Sequence, residues 1–323
     1  MRQFTLALGM LLLMTSLADA QKSTYVPKMA DKAKVRDVGW DASLTLGASA
    51  ALANSTSVVG QVDGTTFSLG AQLVAGLDYI KGEHEWRNVL KLSETVSRTP
   101  VVDEFIKTVD LLDVSSIYLY HIKPLPWLGP FARLRLKTQL FPSYDVRPQT
   151  VIYSIAGGTL TANELQLAKS FKPLSLRETA GLFAKAVSRK TFNVEFKLGF
   201  QASQTFAENQ LAIDDDDATP EIEVKVLEDV IQGGPSVGVL LRGKITEKRI
   251  SYYFDAETML PVINNKDETD DRNAVDLLNV EIEAGLSVKV FDWMSVDYTF
   301  RALREPQLLD KFQVQNNILF TFS

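Results

Sequence analysis

The sequence predicts an all-β protein, a transmembrane antiparallel β-barrel of about 12 strands. Three observations lead there. Apolar residues recur at every second position over runs of ten to sixteen residues, the period of a strand with one oily and one polar face. Strands of soluble proteins cluster near five or six residues, whereas a tilted strand crossing a bilayer needs about nine to eleven. The connections between the runs alternate between short and long, as turns at one rim of such a barrel and loops at the other would do.

Residues 1–20 run from a basic start at Arg2 through an apolar stretch at 6–13 to the small-residue end Ala18-Asp19-Ala20. That pattern is expected of a secretory signal peptide cleaved after Ala20. Residues 21–37 then form a periplasmic N-terminal segment, and residues 38–323 the barrel. After residue 20 no uninterrupted apolar run reaches the length of a spanning helix, so a membrane location requires strands.

Alternation places the strands at 40–53, 66–79, 85–96, 107–122, 128–141, 176–187, 191–206, 237–246, 250–262, 275–290, 293–304 and 311–322. The seventh is the cleanest. There Phe192, Val194, Phe196, Leu198, Phe200, Ala202 and Phe206 share one parity, and Asn193, Glu195, Lys197, Gly199, Gln201 and Ser203 take the other. In 275–290, Leu278, Val280, Ile282, Ala284, Leu286, Val288 and Val290 oppose Asn279, Glu281, Glu283, Gly285, Ser287 and Lys289.

Short turns fall at 80–83, 123–127, 188–190, 247–249 and 291–292. The intervening connections, mostly longer, are 54–65, 97–106, 142–175, 207–236, 263–274 and 305–310. In the third, residues 161–171 are expected to form a short loop helix that packs Leu165, Leu167 and Ala168 against the rim. All four tryptophans, Trp40, Trp86, Trp127 and Trp293, lie at the short-turn ends, where an aromatic collar would meet the interface.

The last strand alternates Phe312, Val314, Ile318, Phe320 and Phe322 with polar partners. It resembles the C-terminal strand by which bacterial outer-membrane barrels are recognised for assembly, although here Ser323 follows the final aromatic. The runs Lys107-Thr108-Val109-Asp110-Leu111-Leu112, Ile117-Tyr118-Leu119-Tyr120 and Leu136-Lys137-Thr138-Gln139-Leu140-Phe141 resemble an uncharacterised family of predicted outer-membrane barrels, a domain of unknown function. The resemblance covers roughly the first half of the mature chain. It implies a fold and a location, with outer-membrane lipid and the barrel-assembly machinery as partners, and carries no catalytic residues.

Composition narrows the function. The chain has no cysteine and two histidines, His84 and His121, which removes disulfides, thiolate chemistry and most metal-site chemistry. A net charge of -6 offers no basic field for nucleic acid. Residues 207–234 carry a net -8 and 263–274 a net -2, leaving +4 elsewhere, so the loops are acidic and the wall mildly basic. The acidic run Asp214 to Asp217 lacks the spaced pattern of a calcium loop. No nucleophile elbow, phosphate loop or dinucleotide fingerprint is present. No cofactor, metal or catalytic residue is expected.

The candidate functional residues are those on the polar parity, which would line the lumen: Arg87, Lys91, Arg133, Arg135, Lys137, Glu195, Lys197, Arg242, Lys244, Glu281, Glu283 and Arg301, with Glu85, Lys185, Asp297 and Lys311 beside them. Arg133, Arg135 and Lys137 stand about 7 Å apart along one strand face. They form either an anion-favouring ladder in an open pore or part of an ion-pair network filling a narrow barrel. The expected function is a narrow pore or passive channel for small polar solutes, or a non-catalytic envelope barrel. An outer-membrane lipid hydrolase and a secreted soluble β-sandwich are the alternatives.

Overall fold

The computed structural model describes residues 39–55, 64–102, 104–189, 191–215, 219–245, 249–266, 270–291 and 294–322. The expected signal peptide and N-terminal segment lie outside the described residues, as do Trp293 and part of the acidic runs (Asp216, Asp217, Asp267 and Glu268).

The wall is formed by β1 (Gly39–Ser55), β2 (Gly64–Lys81), β3 (His84–Arg98), β4 (Ile106–Tyr120), β5 (Leu128–Thr138), β8 (Leu174–Ser188), β9 (Phe192–Phe206), β12 (Val230–Ile245), β13 (Ile250–Met259), β15 (Asn279–Phe291), β16 (Met294–Glu305) and β17 (Leu309–Phe322). Hydrogen bonds join them in that order, and each pair is antiparallel. The backbones of β1 and β17, at the two ends of the path, approach within 8 Å, so the sheet curls into a barrel. All twelve expected strands are present. The two-residue β14 (Ile263–Asn264) adds to β12.

The pairing fixes which parity faces where, because residues directly opposite in an antiparallel pair share a face. Lys185–Glu195, Thr179–Gln201 and Arg177–Ser203 are opposed on β8 and β9, as are Leu182–Leu198 and Ala180–Phe200. The polar set turns inward: Glu195, Gln201 and Ser203 are buried. The oily set turns outward, with Leu198 62% and Phe200 50% exposed. The same inversion holds around the wall, where Leu44, Leu46, Leu77, Leu134, Leu182, Val237, Leu286 and Ile318 are exposed while Arg87, Asp113, Lys137, Glu281 and Asp297 are buried. Water would drive the opposite arrangement, and a hydrocarbon solvent drives this one.

At the short-turn rim the outward parity becomes aromatic. The Trp40 ring lies 4.7 Å from Tyr79 and 6.0 Å from Trp86, and His84 packs beside Tyr118 and Tyr120. Polar atoms on this outer face are satisfied locally: Trp86 Nε1 donates to Ser116 Oγ, Ser116 donates to Asn88 Oδ1, and Asn88 Nδ2 donates to the Leu77 carbonyl. Gly82, in the β2–β3 turn, has φ +58°, the left-handed region where glycine is the least strained residue.

The long loops depart from expectation. Residues 161–171 form no helix; most of the segment belongs to β7 (Gly158–Ala168), paired with β6 (Ser143–Ile155). The β-branched Thr159 and Thr161 favour a pleated strand, and Gly157 at φ +89° makes the reversal between the two. The next loop supplies β10 (Leu211–Ile213) and β11 (Ile222–Val226), and the four strands assemble in the order β10-β11-β6-β7 with β11 parallel to β6. Leu165 therefore packs with Tyr153, Ile222 and Val224 in a small core of its own, flanked by Leu167. Tyr153 donates to Asp145 at 3.0 Å; burial, followed by that hydrogen bond, pushes its phenol pKa up. The added sheet is tied to the barrel by Lys225 Nζ donating to the Leu308 carbonyl at 2.8 Å and by the Lys311–Asp214 ion pair at 2.7 Å. Lys311, expected in the lumen, is thus half exposed at the loop rim.

Leu198→Arg, at mid-strand on the outward face, is expected to destabilise the bilayer-inserted protein by about 2–4 kcal/mol, against roughly 0.5 kcal/mol or less for an exposed position in a water-soluble fold. Reversible denaturant unfolding in lipid vesicles measures the difference.

Candidate functional site

The lumen is built by the inward parity of the twelve wall strands, and its contents differ from one part to another. Near the short turns part of the interior is apolar: Ile117, Leu119, Phe131 and Phe183 pack into one buried cluster. His121 stands edge-on to Phe183 with centroids 5.0 Å apart, its Nδ1 2.7 Å from the Pro126 carbonyl and its Nε2 2.7 Å from Glu85. The sequence reading assigned polar side chains to the lumen and missed this plug. The signal was present in the inward parity of β4, β5 and β8, which turns oily at these four positions.

Beside the plug, with Glu85 and Arg87 opposite Leu119 and Ile117 across the β3–β4 pair, Arg87 Nε donates to Glu85 at 2.7 Å and its guanidinium lies 3.4 Å from Glu195. Lys185 meets Glu85 at 3.0 Å and Lys197 meets Glu195 at 3.1 Å. Arg242 and Lys244 continue the inward face of β12 beside this group, opposite Asn193 and Ser251 respectively. Arg242 Nη1 is buried with no hydrogen-bond partner among the described residues.

The middle of the barrel carries the densest network. Arg133 pairs with Glu257. Arg135 takes Asp113 at 2.7 Å and Glu283 at 3.0 Å. Lys137 binds Glu281 and lies 3.3 Å from Glu283. Arg177 bridges Glu281 and Glu305. Arg301 leans on the same two acids at longer range, 3.6 Å from Glu281 and 3.8 Å from Glu283. In the sheet path four strands, β8, β9, β12 and β13, separate β5 from β15. The Arg135–Glu283 and Lys137–Glu281 pairs therefore span the lumen between nearly opposite walls.

Arg133, Arg135 and Lys137 each find a carboxylate across or along the lumen, so like charges do not face one another unanswered. Their partners Asp113 and Glu257, and the neighbouring pair Arg177 and Glu305, were not singled out from sequence. Asp113 could have been, since it sits on the inward parity of β4 opposite Lys137 on β5. Glu257 and Glu305 pair with cations remote in sequence, which no local pattern discloses.

The network leaves one side of the lumen thinly occupied. Gly47, Ser49, Gly70, Gln72, Ser93 and Thr95, on β1 to β3, line a cavity of about 60 Å³ whose far side is formed by Tyr253, Glu283, Thr299, Arg301 and Gln315. Lys91 borders it. That volume accommodates a few water molecules.

At the loop rim, Arg272 holds Asp270 at 2.6 Å and donates to the Pro306 carbonyl at 3.0 Å; its hydrogen bonds lower the Asp270 pKa. Among the described residues no group of three or more His, Asp or Glu side chains converges as a metal site would require.

No family model and no curated protein matches the chain. Among solved structures, it is similar to the β domain of the Bordetella autotransporter BrkA (12% identity over 88% of this chain and 98% of that one, TM-score 0.33). A bacterial polysaccharide outer membrane secretin matches at 7% identity over 89% and 99%, TM-score 0.29. Pseudomonas putida OprB, in a high-pH structure, matches at 12% identity over 88% and 92%, TM-score 0.25. Similarity at this level does not transfer a function.

Glu281→Gln removes the carboxylate shared by Lys137, Arg177, Arg135 and Arg301 and is expected to cost about 3–5 kcal/mol of unfolding free energy, the penalty of leaving buried charge unanswered. Joint replacement of Glu281 by Leu and Lys137 by Met is expected to cost less than Glu281→Gln alone; denaturant unfolding in vesicles compares the two.

Proposed function

We propose that this chain is an outer-membrane β-barrel of a Gram-negative-type bacterium, exported through a cleaved signal peptide and serving as a narrow passive pore for water and small ions. The inverted burial on the wall carries the membrane reading: Leu198 is exposed and Glu195 buried on one strand, which a lipid solvent outside and a polar lumen inside explain together. An oily face this continuous would be covered by a second sheet in a soluble sandwich. The aromatic rim at Trp40, Tyr79 and Trp86 supports an interface at that height. The last strand turns Phe312, Val314, Ile318 and Phe320 outward, which supports recognition by the barrel-assembly machinery.

The pore reading rests on the cavity beside the ion-pair network. Charged side chains crossing the lumen exclude solutes of sugar or amino-acid size, while the strip lined by Ser49, Gln72, Ser93 and Thr95 offers water polar partners. In the central network Lys91, Arg133, Arg135, Lys137, Arg177 and Arg301 stand among Asp113, Asp255, Glu257, Glu281, Glu283 and Glu305. Matched charge of this kind gives weak selectivity between anions and cations. The chain is read as non-catalytic. A second reading, a wholly closed envelope barrel, is favoured by the number of ion pairs that cross the lumen.

The purified protein is expected to migrate differently on gels before and after boiling, as folded barrels do. In planar bilayers it is expected to pass small, weakly selective currents. Unchanged gel mobility would remove the barrel, absence of current would leave the closed envelope reading, and release of fatty acid from phospholipid would replace both with a hydrolase.

A further inference from the structure

Within the pore reading, on which this inference rests, the lumen divides into two sides of different chemistry. On one side the long side chains of β5, β8 and β15 interlock through close ion pairs. On the other, β1 to β3 contribute glycine, serine, threonine and glutamine, and the cavity lies between them and Arg301.

Arg301 and Lys91 both border this cavity, and Arg301 is held differently from the other arginines of the network. Arg135 and Arg177 each make direct hydrogen bonds to carboxylates. Arg301 stands 3.6 and 3.8 Å from Glu281 and Glu283, beyond hydrogen-bonding distance. Glu281 and Glu283 are already answered by Lys137, Arg135 and Arg177, so displacing Arg301 leaves neither acid alone. The cavity is directly adjacent, and Ser49, Gln72, Ser93 and Thr95 supply hydrogen-bonding groups within an otherwise largely apolar lining. Gly70 keeps that strip open: a β-carbon there would fall 2.4 Å from Ser49 Oγ and 2.8 Å from Thr95 Oγ1.

We propose that Arg301 is the constriction residue of the pore and that ions pass along the strip lined by Ser49, Gln72, Ser93 and Thr95, not through the interlocked side. With the guanidinium against Glu281 and Glu283 the strip is narrowed to a partly open cavity; when the side chain swings toward the loop rim, away from the cavity, the strip widens along its length.

The absence of native cysteine permits a direct test on the full mature protein in planar bilayers, with a boiled and unboiled gel confirming that each variant folds. Arg301→Ser is expected to raise single-channel conductance by about threefold or more, and Arg301→Lys by less, because side-chain bulk at the narrowest point sets the barrier. In the Arg301→Ser background, Ser93→Cys treated with a positively charged thiosulfonate reagent is expected to lose most of that current. Thr179→Cys, on the interlocked side beside Arg133, is expected to keep it. A conducting wild type whose current is unchanged in Arg301→Ser, or is blocked equally from Thr179→Cys, would overturn the constriction while leaving the pore. Silence of the wild type and of folded Arg301→Ser alike would overturn both. A silent wild type with a conducting Arg301→Ser variant would support the constriction.

Discussion

In hydrocarbon no water is available to a peptide group, so every backbone N–H and C=O within the bilayer must be paired inside the protein. The remaining features follow from that constraint. Long antiparallel strands provide the pairing, and their length commits about ten consecutive residues to two faces, with register shifts confined to strand ends. Curling brings β1 alongside β17. Once the faces are defined, side-chain chemistry divides by parity alone, which is why a single strand such as β9 can present Phe196, Leu198 and Phe200 to lipid while holding Glu195 and Gln201 in the interior.

A small barrel then has an interior to fill, and this chain fills it with two kinds of matter. Near the short turns it uses an apolar plug around Phe131 and Phe183. At mid-height it uses ion pairs that reach from β5 to β13 and β15. Burying so many charges is expensive unless each is answered, and the observed sharing of Glu281 and Glu283 among several cations is the answer. The interior is correspondingly cooperative: removing one shared acid disturbs several cations, whereas a loosely held cation such as Arg301 can leave without exposing an unanswered charge.

The wall was legible in the sequence because its information is local. The parity of Phe192 to Phe206 or of Leu278 to Val290 is set by neighbours two residues apart, and the short-turn spacing gives the direction of travel. The inward list was legible for the same reason, and Arg87, Arg135, Lys137, Glu281 and Glu283 do face the lumen. What those residues touch was not legible, because the pairs join positions such as Arg177 and Glu281, more than a hundred residues apart. The cap strands were misread because Leu165, Leu167 and Ala168 suit either a helix or an edge strand, and the outcome depends on β6 and on a β11 arriving from a different loop.

The central claim is that the oily parity of the wall faces lipid. Nitroxide labels placed singly on cysteines along positions 194–203 of β9, in a chain with no native cysteine, report contact with oxygen dissolved in the bilayer core and with a polar nickel chelate. The result expected in vesicles is oxygen accessibility alternating with period two and highest at Val194, Phe196, Leu198, Phe200 and Ala202. Loss of the alternation, or maxima at Glu195, Lys197 and Gln201, would contradict it.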